Sequence, residues 1–181
     1  VVRLDSGASG TVRPMEIRAN FHSCGKGGTI LCMDVGGAVQ SNTLTLSGDN
    51  SDFFGRLICD YIVAGSRTIV KYAKSWPSDP EEPMSDGLVL RQNATLSFSA
   101  SVVSGPTRGI CLGKDTKIDV AAGQTVVFEG PLVAQDGFVK TGEGTLVLKD
   151  CAHVNKLKLK VRIDGGSIIW PKPKGLAVII L

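Results

Sequence analysis

Two histidines and five cysteines are the side chains in this 181-residue sequence most able to bind a soft metal or act as nucleophiles. His22, Cys24 and Cys32 lie near one another, but zinc asks for a fourth ligand and the spacing fits no knuckle pattern. Cys151 and His153 stand two apart, so a strand would put them on one face. A Cys–His nucleophile also needs an orienting third group and an oxyanion element, and the neighbouring sequence offers neither. The acids Asp60, Asp115, Asp119, Glu129, Asp136 and Glu143 could supply the paired carboxylates of a polysaccharide-acting enzyme. Glu129 and Asp136 fall beside Gly turns, where acids more often cap or face water. Gly25 to Thr29 is Gly-rich but lacks the spacing of a phosphate loop. Asn93-Ala94-Thr95 fits a glycosylation acceptor, which has meaning only in a eukaryotic secretory chain. These residues lead us to expect no catalytic, metal or cofactor site.

Lys156, Lys158, Lys160 and Arg162 alternate with Leu157, Leu159, Val161 and Ile163. In a strand this puts a cationic stripe on one face and core residues on the other. Such a stripe could hold an anionic glycan, lipopolysaccharide or a nucleic-acid backbone, but a solvated outer face looks the same. No aromatics interleave it, so base stacking is unsupported and no nucleic-acid partner is expected. The net charge of +3 imposes no global field. An odd number of cysteines cannot form a complete internal disulfide framework. Cys24 and Cys32 could bridge a hairpin, whereas Cys59, Cys111 and Cys151 sit in or beside apolar strands, where free Cys acts as a small hydrophobe. Mostly reduced, structural cysteines are expected.

The elements that must position these residues read as β throughout. There are 22 glycines, aromatics make up 6%, and no long helical stretch occurs. Short runs such as Thr29 to Val35, Ala38 to Leu46, Gly87 to Leu90, Ala94 to Ala100, Arg108 to Leu112, Thr116 to Val120 and Thr125 to Glu129 are separated by Gly and Pro turns. Gly137 to Asp150 is a strand-turn-strand signal in which Gly142 and Gly144 flank Glu143. Thr43-Leu44-Thr45-Leu46 repeats its Thr145-Leu146-Val147-Leu148 pattern, 102 residues upstream. Leu57 to Val70 also aligns with Leu157 to Trp170 at an offset of 100, with Gly65 set on Gly165. Internal similarity of this kind favours a stacked β-solenoid over a sandwich.

With the repeat in view, Gly137-Phe-Val-Lys140-Thr-Gly142-Glu-Gly144-Thr145-Leu146-Val-Leu148 resembles the autotransporter passenger-associated β-strand repeat, G-x-x-K-x-G-x-G-T-L-x-L. The resemblance covers most of residues 40 to 181. The upstream copy lacks the K-x-G-x-G half, and Lys149-Asp150-Cys151 replaces the usual continuation. What the resemblance implies is a right-handed parallel β-helix, residues 1 to 181 being one all-β solenoid segment of a longer chain continuing at both ends. It further implies display on a bacterial cell surface or outer membrane, or secretion, with a structural and adhesive role. A host or matrix glycan or protein is the implied partner, and the stretch itself has no transmembrane segment. The alternative is a polysaccharide lyase or glycoside hydrolase working on one face of the helix.

The strand rhythm breaks once, at Lys74 to Asp86, which holds three of the eight prolines and the acids Asp79, Glu81, Glu82 and Asp86. Proline removes ladder donors and biases its predecessor away from helix. The segment therefore reads as an exposed, mobile insertion projecting from the stack. Trp76, Asp79, Glu81, Glu82 and Met84 become the candidate contact residues, and exchanging 75 to 85 for a Gly/Ser linker is expected to leave melting nearly unchanged.

Overall fold

Inward-facing and outward-facing residues alternate along most of the strands, as a period of two requires when one face is buried. The pattern is clearest in Arg56–Tyr61, where Leu57, Cys59 and Tyr61 are buried and the residues between them are not. A computed structural model describes residues 2–4, 14–22, 28–34, 43–61, 65–150, 160–170 and 179–180. It is an all-β parallel solenoid, in which every strand pairing among the described residues is parallel.

Three faces build the coil. Face A stacks β1 (Val2–Leu4), β3 (Thr29–Asp34), β5 (Arg56–Tyr61), β7 (Met84–Leu90), β10 (Arg108–Leu112) and the second half of β12 (Thr125–Ala134). Face B stacks β2 (Met15–Ile17), β4 (Thr43–Leu46), β6 (Arg67–Val70), β8 (Thr95–Phe98), β11 (Lys117–Val120), β13 (Phe138–Thr141), β15 (Lys160–Ile163) and β17 (Ile179–Ile180). Face C contains β9 (Val102–Ser104), the first half of β12, β14 (Thr145–Asp150) and β16 (Ser167–Ile169). The chain runs A to B to C and then returns to A one level up.

The interior is filled by rows of side chains stacked in register. Ile30, Leu57, Leu88, Ile110 and Leu132 form one row, each at 2% exposure or less. Leu44, Thr68, Leu96, Ile118 and Lys140 form the facing row on B. Each fully buried Leu or Ile contributes about 1.5–3 kcal/mol through loss of apolar surface from water, so the rows hold the stack together.

The period of this coil differs from the repeat in the sequence. One turn spans 22 residues from Leu88 to Ile110 and again from Ile110 to Leu132, but 31 from Leu57 to Leu88. Thr43–Leu46 lies on face B, whereas its apparent copy Thr145–Leu148 lies on face C. The similarity therefore matches strands that are not equivalent in the stack. It arises because every face needs the same alternation and the same Gly-rich exits. The positive φ in the later segment belongs to Gly166 rather than to Gly165, the residue aligned with Gly65.

Face C also starts late. The turns that carry β4 and β6 have no C strand, and residues 47–55 and 71–83 take its place. The N-terminal turns are tied across face B by Glu16, which accepts from Lys71 Nζ at 2.8 Å. Lys71 and Ser47 pull the Glu16 carboxyl down from 4.5 to about 2. A carboxyl depressed on folding contributes stability that is present above the unfolded value and lost as pH falls through the folded one. The denaturation midpoint of the chain should therefore drop as pH falls from 4.5 toward 2, and Lys71→Met should make that drop shallower. Urea titrations of both chains across this window check the sign.

Candidate functional site

The repeat-like motif makes the corner between faces B and C. β13 supplies Lys140 in phase with Phe138, so the lysine points inward, and its residue is fully buried. An ammonium can be kept there only if its donors are used. Nζ donates to the carbonyl oxygens of Thr141 at 2.6 Å, Gly142 at 2.7 Å and Gly165 at 3.2 Å. Burial lowers its pKa, while Asp119 and Glu143 oppose the shift. Gly142 turns the chain at φ +72°, and a Cβ on Gly144 would collide with the Ala121 carbonyl of the turn below. Thr145 pairs its hydroxyl with Ser167 at 3.0 Å, and Leu146 and Leu148 point into the core. The motif residues thus hold one turn of the coil to the next.

The insertion turns inward, contrary to the expectation of an exposed segment. A single 3₁₀ turn (Ala73–Ser75) leads to Trp76, which is only 4% exposed. The indole fills the interior position of the missing C strand, 5.5 Å from the Phe98 ring and 6.1 Å from that of Phe128. Ser75, Pro77 and Pro80 are also buried, and the last three residues of the segment belong to β7, which begins at Met84. Proline composition indicated a break in the ladder correctly but not its direction. A segment without ladder donors suits the place where face C begins, because it can occupy the level before β9 without extending the sheet. Of the candidate contact residues, only Glu81 and Glu82 stand exposed at the tip; Met84 and Asp79 are half-buried.

Asp79 accepts from the Gly105 N–H at 2.7 Å and lies 3.8 Å from Arg108 Nε. Arg108 is wholly buried. Its guanidinium donates to the carbonyl oxygens of Gly55 at 2.7 Å, Gly87 at 3.0 Å and Ser78, and lies 6.0 Å from the Trp76 ring centre. Burial pushes its pKa down to about 10, against the pull of Asp79, so it stays charged at neutral pH. The sequence reading missed this residue. The signal was present: Arg108 is in phase with Ile110 and Leu112, both of which face inward.

Outside, face A carries the row Leu31, Ile58, Val89, Cys111 and Val133 across five turns. The ion pairs Arg56–Asp86 and Asp60–Arg91, each at 3.1 Å, border it. At its upper end an open groove of about 790 Å³ runs beside the stacked turns at Asn93 and Lys114. Among the described residues Asp60 is the one carboxylate lining it. The remaining candidate acids are dispersed. Asp119 on face B accepts from the Thr141 hydroxyl, and Glu129, beyond the C half of β12, accepts from Lys149. Asp115 occupies a turn at φ 56°, while Asp136 and Glu143 lie in exposed turns. Lys160 and Arg162 lie on the outer side of β15, Arg162 bound to Asp164 at 2.8 Å, and Lys156 and Lys158 fall outside the described residues. His22 is exposed, 3.4 Å from Asp52, and Cys24, Cys151 and His153 also lie outside them. No group of three or more metal-binding side chains converges among the described residues, and no helix there is long and apolar enough to cross a membrane.

Fold and surface together define a parallel β-solenoid with a filled interior and a groove on one outer face. No family model, curated protein or solved structure matches the chain.

Trp76→Ala should destabilise the fold by about 3–5 kcal/mol, the range for deleting a buried large aromatic side chain. Replacing 75–85 with a Gly/Ser linker should lower the melting temperature, because it removes Trp76 and Asp79 together. Thermal melts followed by circular dichroism check both changes.

Proposed function

We propose that the chain is a structural and adhesive segment of a bacterial surface-displayed or secreted passenger of the autotransporter kind, with no catalysis of its own. The motif from Gly137 to Leu148 supports the family reading, and a stack lengthened one turn at a time suits a rod that carries contacts away from a cell. The observation that carries the functional reading is the use to which the candidate acids are put. Asp60 pairs with Arg91, Asp119 with Thr141 and Glu129 with Lys149, and each pair joins neighbouring turns of the coil. They lie around different faces, and an acid–base pair acting on one glycosidic bond needs its carboxyls within roughly 5–9.5 Å of each other. The outer surface of face A is the contact surface in this reading, in place of the buried Trp76, and the ligand is a host or matrix glycan or protein.

Placing the chain between an export signal and an outer-membrane barrel tests the reading. The expected result is that intact cells expose it to added protease and adhere better to matrix-coated plates. Purified chain should release no reducing ends or unsaturated products from acidic or neutral polysaccharides. Product release abolished by Asp60→Asn or Glu129→Gln would favour the polysaccharide-acting alternative.

A further inference from the structure

The interior of face A contains an unusual pair. Cys32 on β3 and Cys59 on β5 are register partners on adjacent parallel strands, and both are fully buried with their thiols free. Above them the same row continues with Leu90 and Leu112. Two thiols therefore stack on one another where the rest of the row is aliphatic.

We propose that Cys32 and Cys59 form a turn-to-turn disulfide when the chain folds in the presence of a small-molecule disulfide, and that the closed coil then preserves whichever redox state it folded with. Register supports the first half. Adjacent strands lie about 4.7–4.9 Å apart, inside the 4.4–6.8 Å span of Cα atoms joined by a disulfide. The β-carbons, which in-register strands hold at about the same spacing, need to close by only a few tenths of an ångström to reach the usual range of about 3.5–4.5 Å.

The chemistry balances without a metal. One thiolate attacks the small disulfide, forming a mixed disulfide and expelling one small thiol. The second cysteine then attacks the mixed disulfide, expelling the other small thiol and closing the Cys32–Cys59 bond. The pair loses two electrons and two protons, and the small disulfide is reduced to two thiols.

Burial supports the second half. Attack requires a thiolate within reach of the reagent, and neither sulfur is accessible in the folded coil. Cys59 and burial push the Cys32 thiol upward, while Thr68 opposes this weakly. Thr68 is itself held by the Tyr61 hydroxyl at 2.6 Å. Both directions of exchange are therefore slow once neighbouring turns have closed over the pair. Cys111, at the groove on the outer face, is half-buried and is the most accessible cysteine among the described residues.

The test uses the full chain carrying Cys24→Ser, Cys111→Ser and Cys151→Ser, so that only this pair can react. Denatured chain is refolded with oxidised and reduced glutathione, or with dithiothreitol, then alkylated in denaturant and analysed as peptides by mass spectrometry. Oxidative refolding should give a peptide cross-linked between Cys32 and Cys59 and protect both thiols. Chain refolded in dithiothreitol and then given the same glutathione mixture should cross-link at least tenfold more slowly. Alkylated Cys32 and Cys59 after oxidative refolding would overturn the proposal, and so would equal rates in folded and unfolded chain. If the triple variant does not fold, the unsubstituted chain gives the same readout, because the cross-linked peptide is identified by mass. Cys59→Val must then abolish it.

Discussion

The Arg108 guanidinium is withdrawn from water, and three of its N–H groups donate to carbonyls in three separate turns, while its Nε is held only by the charge of Asp79 at 3.8 Å. Gly55, Gly87 and Ser78 present their carbonyls to it, and Asp79 lies alongside with the opposite charge. Those acceptors exist only when the turns are stacked in one register. A slip of one residue would turn Arg108 outward and bring a glycine into its place, because neighbouring strand residues face opposite sides. The guanidinium thus fixes the level at which β5, β7 and β10 meet. It also fixes where the irregular segment between β6 and β7 must lie, since Ser78 and Asp79 are drawn to it.

Lys140 solves the same problem on a smaller scale at the B-to-C corner. An aliphatic side chain in that row would leave the carbonyls of Thr141 and Gly142 facing a dry interior, where an unpaired acceptor costs about 1–3 kcal/mol. The ammonium joins both to the Gly165 carbonyl one turn further along. The two buried cations sit where the backbone leaves its ladder and exposes carbonyls inward. Elsewhere the interior is mainly apolar, and its polar members Asn50, Thr68 and Thr116 each hold a side-chain hydrogen bond of their own.

Strand positions and the motif corner were legible because they depend on local signals, whereas the solenoid was favoured over a sandwich through an internal similarity that joins strands of different faces. Alternation places Leu57, Cys59, Leu146 and Leu148, and Gly142 marks a turn at positive φ. Which face each strand joins was not legible, since all faces use the same alternation, and Thr43–Leu46 could therefore pass for the counterpart of Thr145–Leu148. The inward course of the insertion was hidden for another reason. Its prolines and acids signal solvent, and only Trp76 argues otherwise, while the partners that draw it in come from Phe98, Arg108 and Phe128. Among the candidate acids, the roles of Asp60, Asp119 and Glu129 depended on residues one turn away. That distance became known only with the period of 20 to 31 residues between their partners.

The three rings of Trp76, Phe98 and Phe128 form a closed triangle with sides of 5.5, 6.0 and 6.1 Å, and they come from three consecutive levels of the coil. In an ideal stack each level touches only the levels directly above and below it, so the array behaves as a one-dimensional chain that unravels stepwise from its ends. Contact between Trp76 and Phe128 adds a next-nearest-neighbour coupling. An unravelling front that reaches either ring must disrupt three levels at once, so the segment from Arg56 to Phe128 opens as a single cooperative unit while the levels outside it fray one by one.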